Sequence, residues 1–110
     1  MNRYTATGVL ADMREGRRVL VLSPTRTIAR LAFAEVVQFA LPGERVRRAN
    51  GEEGIWVEDG PGRVLFRTVR SVRGLAVDVL VFDFDPPGPI ELESVWPVLN
   101  GSPIGEVIRP

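Results

Sequence analysis

The chain has 110 residues, 45% of them apolar, with fourteen arginines balancing fourteen acids and no lysine, histidine or cysteine. That length is one domain's worth, residues 1–110, and the missing residue types exclude disulfides, thiol catalysis and histidine-based acid–base chemistry or metal binding. No run approaches the roughly 20 apolar residues of a membrane span, and no apolar h-region follows Met1 to Tyr4, so a cytoplasmic setting without a membrane partner is expected. Charge is uneven: residues 1–48 carry nine arginines against four acids, and residues 49–110 carry five against ten. Such asymmetry suits an acidic partner on one face, or two halves that complement each other in the fold.

The first element in chain order is a helix over 4–15, with Ala6, Val9, Leu10 and Met13 on one face and Gly16 at its end. Arg18 to Leu22 reads as a buried parallel strand. Ser23-Pro24 breaks it, and Thr25 is positioned to cap a second helix, about 27–40, with Ile28, Leu31, Ala32, Val36 and Phe39 turned inward. Leu41-Pro42-Gly43 stops that helix. Three strand-like runs follow, Arg45 to Ala49, Ile55 to Glu58 and Arg63 to Thr68. The Gly-rich breaks between them read as hairpin turns of an antiparallel meander. After the loop Val69 to Ala76 comes the apolar strand Val77 to Phe82. Pro86-Pro87-Gly88-Pro89 then forms a rigid turn. A short helix around Ile90 to Trp96 and a last strand near Ile104 to Ile108 complete the order.

This order predicts an α/β domain: a small, mainly parallel sheet with helices on both faces and the meander at one edge. Ligands of open α/β sheets bind beyond the carboxyl ends of the strands. Both Ser23 to Arg26 and Asp83-Phe84-Asp85 fall at such ends. Two carboxylates there can hold a hard cation, although a lone Asp-x-Asp is equally a polar strand-to-loop junction.

Val19 to Arg26 with its Ala-rich helix, Arg63 to Thr68, Arg73-Gly74, Val77 to Asp83 and Val95 to Ile104 together form an ordered series. In that order they resemble the core of helicase-type and phage terminase large-subunit ATPases, a P-loop-NTPase-like fold, over roughly residues 4–108. The resemblance makes Asp83 the counterpart of the Walker B aspartate, which helps hold Mg²⁺. It also implies phosphate-backbone contacts at Thr25 and Arg26.

The departures from that pattern are large. No Gly-x-x-x-x-Gly-Lys-Ser/Thr loop occurs, and Phe84 stands where the family carries its catalytic glutamate. Asp85 is one residue too late, and a one-residue slip in extended chain turns the side chain to the other face. Without a phosphate cradle or a base, ATP hydrolysis is not expected, and neither is a cofactor.

The resemblance thus implies a non-catalytic, phage-type interaction module in a bacterial host cell, acting on a host factor or a larger phage motor in DNA processing. The alternative is a sequence-independent nucleic-acid binder using Thr25, Arg26, Arg70 and Arg73. A residual NTP-binding ATPase comes third. Arg67, Arg70 and Arg73 crowd the loop before the acidic strand, where they can track phosphates or neutralise Asp78, Asp83 and Asp85. Stacking aromatics are limited to Tyr4, Trp56 and Trp96. A sheet that has lost a strand leaves an open edge, which suits homodimerisation or strand addition.

Overall fold

The computed structural model describes residues 1–72, 74–83, 96–99 and 105–108. Helix α1 spans Arg3–Arg14 and strand β1 Arg18–Ser23. Helix α2 spans Arg26–Val37, and β2 (Arg45–Arg47), β3 (Gly54–Trp56) and β4 (Arg63–Thr68) form the meander. A 3₁₀ turn at Val69–Ser71, β5 (Val79–Phe82), a second 3₁₀ turn at Trp96–Leu99 and β6 (Glu106–Ile108) follow. The six strands make one mixed sheet in the order β2-β3-β4-β1-β5-β6. β4, β1, β5 and β6 run parallel, whereas β2-β3 and β3-β4 pair antiparallel, as expected for a meander at one edge.

Central β1 sets the two faces. Val19 and Val21 lie beside Val64 and Phe66 of β4 and Val79 and Val81 of β5, and this face packs on both helices. The expected stripe Ala6, Val9, Leu10 and Met13 of α1 is buried there. Leu20, Leu22, Leu65, Leu80 and Phe82 form the other face, under Val72, Val77, Val98 and Leu99.

Both α-helices therefore share one face among the described residues, in place of the expected arrangement on both. The reason lies in the crossovers. The chain moves from β1 to β4 in one direction and from β4 back past β1 to β5 in the other. Right-handed connections in opposite directions pass over opposite faces. The first carries α2, while the second is only the stretch 69–78, which holds one 3₁₀ turn. The short helix expected around Ile90 to Trp96 falls mostly outside the described residues.

Helix α2 is also rotated relative to expectation. Ala29, Ala32, Phe33 and Val36 are buried, while Ile28 and Leu31 are 37% and 58% exposed. Phe33 packs edge-on against Phe66 of β4 at 5.4 Å between centroids. Ala29 and Ala32 beside it bring the helix close to the sheet. An aromatic anchored on the central sheet outweighs the larger aliphatic surface of Ile28 and Leu31. Close approach recurs where α1 ends on the β3–β4 hairpin, since a Cβ at Gly62 would run into the carbonyl oxygen of Met13.

Candidate anion-binding site

Antiparallel packing against β1 sends the start of both helices to the carboxyl ends of the parallel strands. Thr25 caps α2 as expected, its hydroxyl accepting from the Ile28 amide at 3.2 Å. Asn2 caps α1 in the same way, accepting from the Thr5 amide at 2.9 Å. Ser23, the last residue of β1, is fully buried on the helix side of the sheet, and its hydroxyl has no hydrogen-bond partner among the described residues.

Asp83 stands at the end of β5, its amide donating to the Leu22 carbonyl at 2.8 Å. Its carboxylate lies 3.5 Å from the Met1 amino group, which is also 3.2 Å from Glu35. Burial works against the charge on that amine, but the two carboxylates outweigh it and raise its pKa. Among the described residues no three acids gather as a metal site. Asp85 and Arg73 lie outside the described residues.

Arg26 and Arg70, expected to act together, line different recesses. Arg70 is exposed on the 3₁₀ turn beside Val72 and Leu75, over the leucine face. Arg26 opens α2 and borders a recess of about 290 Å³ with Glu53, Phe66, Arg67, Thr68 and Ser71. The two arginines sit apart because the crossovers that carry them pass over opposite faces. Asp78 pairs with Arg18. That buried carboxylate accepts from Arg18 through Nε at 3.1 Å, Nη2 at 3.0 Å and the backbone amide at 2.9 Å, at the other end of the strands.

Arg67 is the residue that the recess brings forward. Its Nη1 donates to the carbonyls of Glu53 and Phe66, each at 2.8 Å, which fixes the guanidinium plane. No carboxylate lies within ion-pair distance of it among the described residues. Burial pulls its pKa below the ordinary arginine value, and the charge of Glu53 restores part of this. Glu53 is itself buried and faces Arg30 at 3.8 Å. Thr68 and Ser71 close a small hydroxyl pair at 3.1 Å beside it.

The start of the loop joining β2 to β3 brings one more cation to this side, Arg48, which lies over the Phe33 ring at 5.7 Å. Arg47 before it turns to the leucine face with Arg45 and Trp56, and pairs with Glu52 at 2.9 Å. Gly51, at φ +84°, leaves room for Arg26, since a Cβ there would stand 3.0 Å from its Nη2. Arg26, Arg30 and Arg48 thus stand on the helix face near Glu53, and Arg47 and Arg67 on the leucine face near Glu52, an excess of positive charge divided between the two faces of one corner of the sheet. Of the aromatics expected to stack on bases, Tyr4 is 85% exposed on α1, whereas Trp56 packs against the leucine face.

Sequence reading noticed Arg67 only as one of a crowd. Its distinction comes from the 49–53 loop, whose return onto the end of β4 no local pattern announces. Comparison with protein-family models, curated proteins and solved structures finds no match. Among the described residues, no helix is long and apolar enough to cross a membrane.

Proposed function

We propose that this chain is a non-catalytic binding module whose working surface is the arginine-rich corner around the 49–53 loop, and that it holds nucleic acid by its phosphate backbone without reading sequence. The observation that carries this reading is the gathering of Arg26, Arg30 and Arg48 from α2 and the loop on the helix face of that corner, with Arg47 and Arg67 on the other face of the same corner and Glu52 and Glu53 as the carboxylates beside them among the described residues. Phosphate contacts from arginine supply sequence-independent affinity that salt weakens. The likeness to helicase- and terminase-type ATPase cores agrees with it, because the counterparts of Thr25 and Arg26 in helicase-like relatives touch the backbone. The phenylalanine at position 84, where that family carries its catalytic glutamate, favours binding without hydrolysis.

Titration of labelled single- and double-stranded DNA at several salt concentrations tests the reading. The expected plot of log affinity against log salt has a slope of about −3, as for three or four neutralised phosphates. Affinity that ignores salt, or no binding at low salt, would overturn it. A rise in Tm with ATP and Mg²⁺ would overturn the non-catalytic part.

A protein partner, either a host factor or a larger phage motor, or a second copy of the chain, is favoured by one feature. The outer edge of β6 pairs with no strand among the described residues. Sedimentation over a range of concentrations, with Val107→Pro as the edge-blocking variant, addresses the homodimer.

A further inference from the structure

On the leucine face, the antiparallel meander carries an aromatic ring among cations. Trp56 stands opposite Arg45 of β2 and Arg63 of β4, and Gly54 stands opposite Arg47 and Leu65. Residues two apart on a strand share a face, so Arg45, Arg47, Trp56, Arg63 and Arg67 all stand on this side. Gly54 has no side chain to offer there, and the indole takes its place. A Cβ on Gly54 would meet Trp56 Cη2 at 2.6 Å and Cζ3 at 2.8 Å, with Leu65 Cδ2 at 3.0 Å. The ring therefore lies down along its own strand instead of standing off the sheet. Trp56 is nevertheless only half-buried, and it borders a recess of about 300 Å³ with Arg45, Val46 and Arg47.

The cations beside the ring differ in how they are held. Arg63 and Arg67 donate to backbone carbonyls, of Ala76 and of Glu53 and Phe66, which keeps their charge in place. Arg45 is exposed, with no carboxylate within ion-pair distance among the described residues. Arg47 pairs with Glu52, but both side chains are more than half exposed, and a pair of that kind is weak enough for a phosphate to compete with it. A half-open indole between such groups suits single-stranded nucleic acid. The unstacked bases of a single strand present ring faces that a duplex hides, and stacking with phosphate contacts alongside holds such strands without sequence preference.

We propose that Trp56 is a stacking platform for a base of a single strand, with Arg45 and Arg47 on the neighbouring phosphates. The assignment rests on the nucleic-acid reading above and names the form of nucleic acid that the meander selects.

The test is fluorescence anisotropy at one salt concentration with three probes: a thymidine oligonucleotide, an abasic strand with the same number of phosphates, and a duplex of the same length. Phosphate contacts alone favour the duplex, whose charge is denser. The expected result is that the thymidine strand binds tighter than the duplex and at least about fivefold tighter than the abasic strand, corresponding to about 1 kcal/mol. Trp56→Leu, which keeps apolar bulk over Gly54, should bring the thymidine strand down to the abasic level, and Trp56→Tyr should keep most of the difference. Arg45→Ala should weaken all three probes alike. Where Trp56→Leu fails to fold, the emission of Trp56 in Trp96→Phe protein decides: the thymidine strand should quench it, and the abasic strand should not.

Equal affinity for the thymidine and abasic strands, tighter binding of the duplex, or binding without quenching overturns the inference and leaves the phosphate-backbone reading standing. No binding of any probe overturns both. A polyglutamate peptide that displaces the labelled thymidine strand as well as the unlabelled strand does overturns the assignment to nucleic acid.

Discussion

The two ends of the parallel strands use charge in opposite ways. At the amino ends, Arg18 and Asp78 satisfy each other through three hydrogen bonds, Arg17 reaches Asp12 at 2.6 Å, and Arg14 forms a fork on Glu44 with both contacts at 3.0 Å. Those pairs tie α1, β1, β5 and the entry to β2 together. At the carboxyl ends, Arg26 and Arg67 border a recess that Glu53 also lines, with no carboxylate within ion-pair distance of either among the described residues, and Ser23 keeps a buried hydroxyl without a partner among them. One end therefore bears the densest ties, and the other retains polar groups without a partner among the described residues. Arginines alike in sequence thus serve stability at one end and binding at the other.

The contrast predicts that damage at the amino ends unfolds the protein, whereas damage at the carboxyl ends leaves it folded. Asp78→Ala should have the largest effect. It removes the acceptor of three hydrogen bonds from a half-buried ion pair and should cost about 3 kcal/mol. In a chain of this size that lowers Tm by about 15 °C in a calorimetric scan. A fall of only a degree or two would mean that the amino-end pairs are surface decoration.

Glu44→Gln comes next, at about 1–2 kcal/mol in urea titration, because the carboxylate also accepts from the Leu41 amide at 2.7 Å. Hydrogen bonding to Arg14 holds the Glu44 carboxyl below its ordinary value of 4.5, against the opposing effect of burial. A depressed folded-state pKa contributes stability above the unfolded value, and the contribution is lost as pH falls through the folded one. The gap between the parent and Glu44→Gln should accordingly be widest above about pH 5 and close on acidification. A gap that widens in acid would refute the assignment.

Ser23→Ala should have the smallest effect, within about 0.5 kcal/mol and with a stabilising sign, because the hydroxyl it removes is buried without a partner among the described residues. A loss above about 1 kcal/mol would place a hidden partner at that site and bring the two ends closer in character.

Much of this frame was legible in the chain. The α1 stripe, the apolar run of β1, the Thr25 cap and the Gly-rich turns of the meander are local patterns, and local patterns suffice for them. The face of α2 was not legible in the same way. Helical periodicity allows either Ile28 and Leu31 or Ala29 and Phe33 to point inward, and only the position of Phe66 on a strand far along the chain decides. That both described α-helices share one face was not legible for a related reason, since the direction of each crossover depends on strand order. At the candidate site, Arg26 could be placed at a strand end, but its separation from Arg70 could not. The role of Asp78 was missed because its partner Arg18 sits at the start of a distant strand.

The position of β1 at the centre of the sheet has a consequence for the order of events during synthesis. Val19 faces Val64 on one side and Val79 on the other, so the strand emerges from the ribosome long before either neighbour exists. Until then its apolar run has no partner strand on either edge, and α1 and α2 have only each other and half a core to rest on. Chains halted between β3 and β5 should therefore remain protease-sensitive, and release of the stretch through Phe82 marks the earliest point at which the valine face can close.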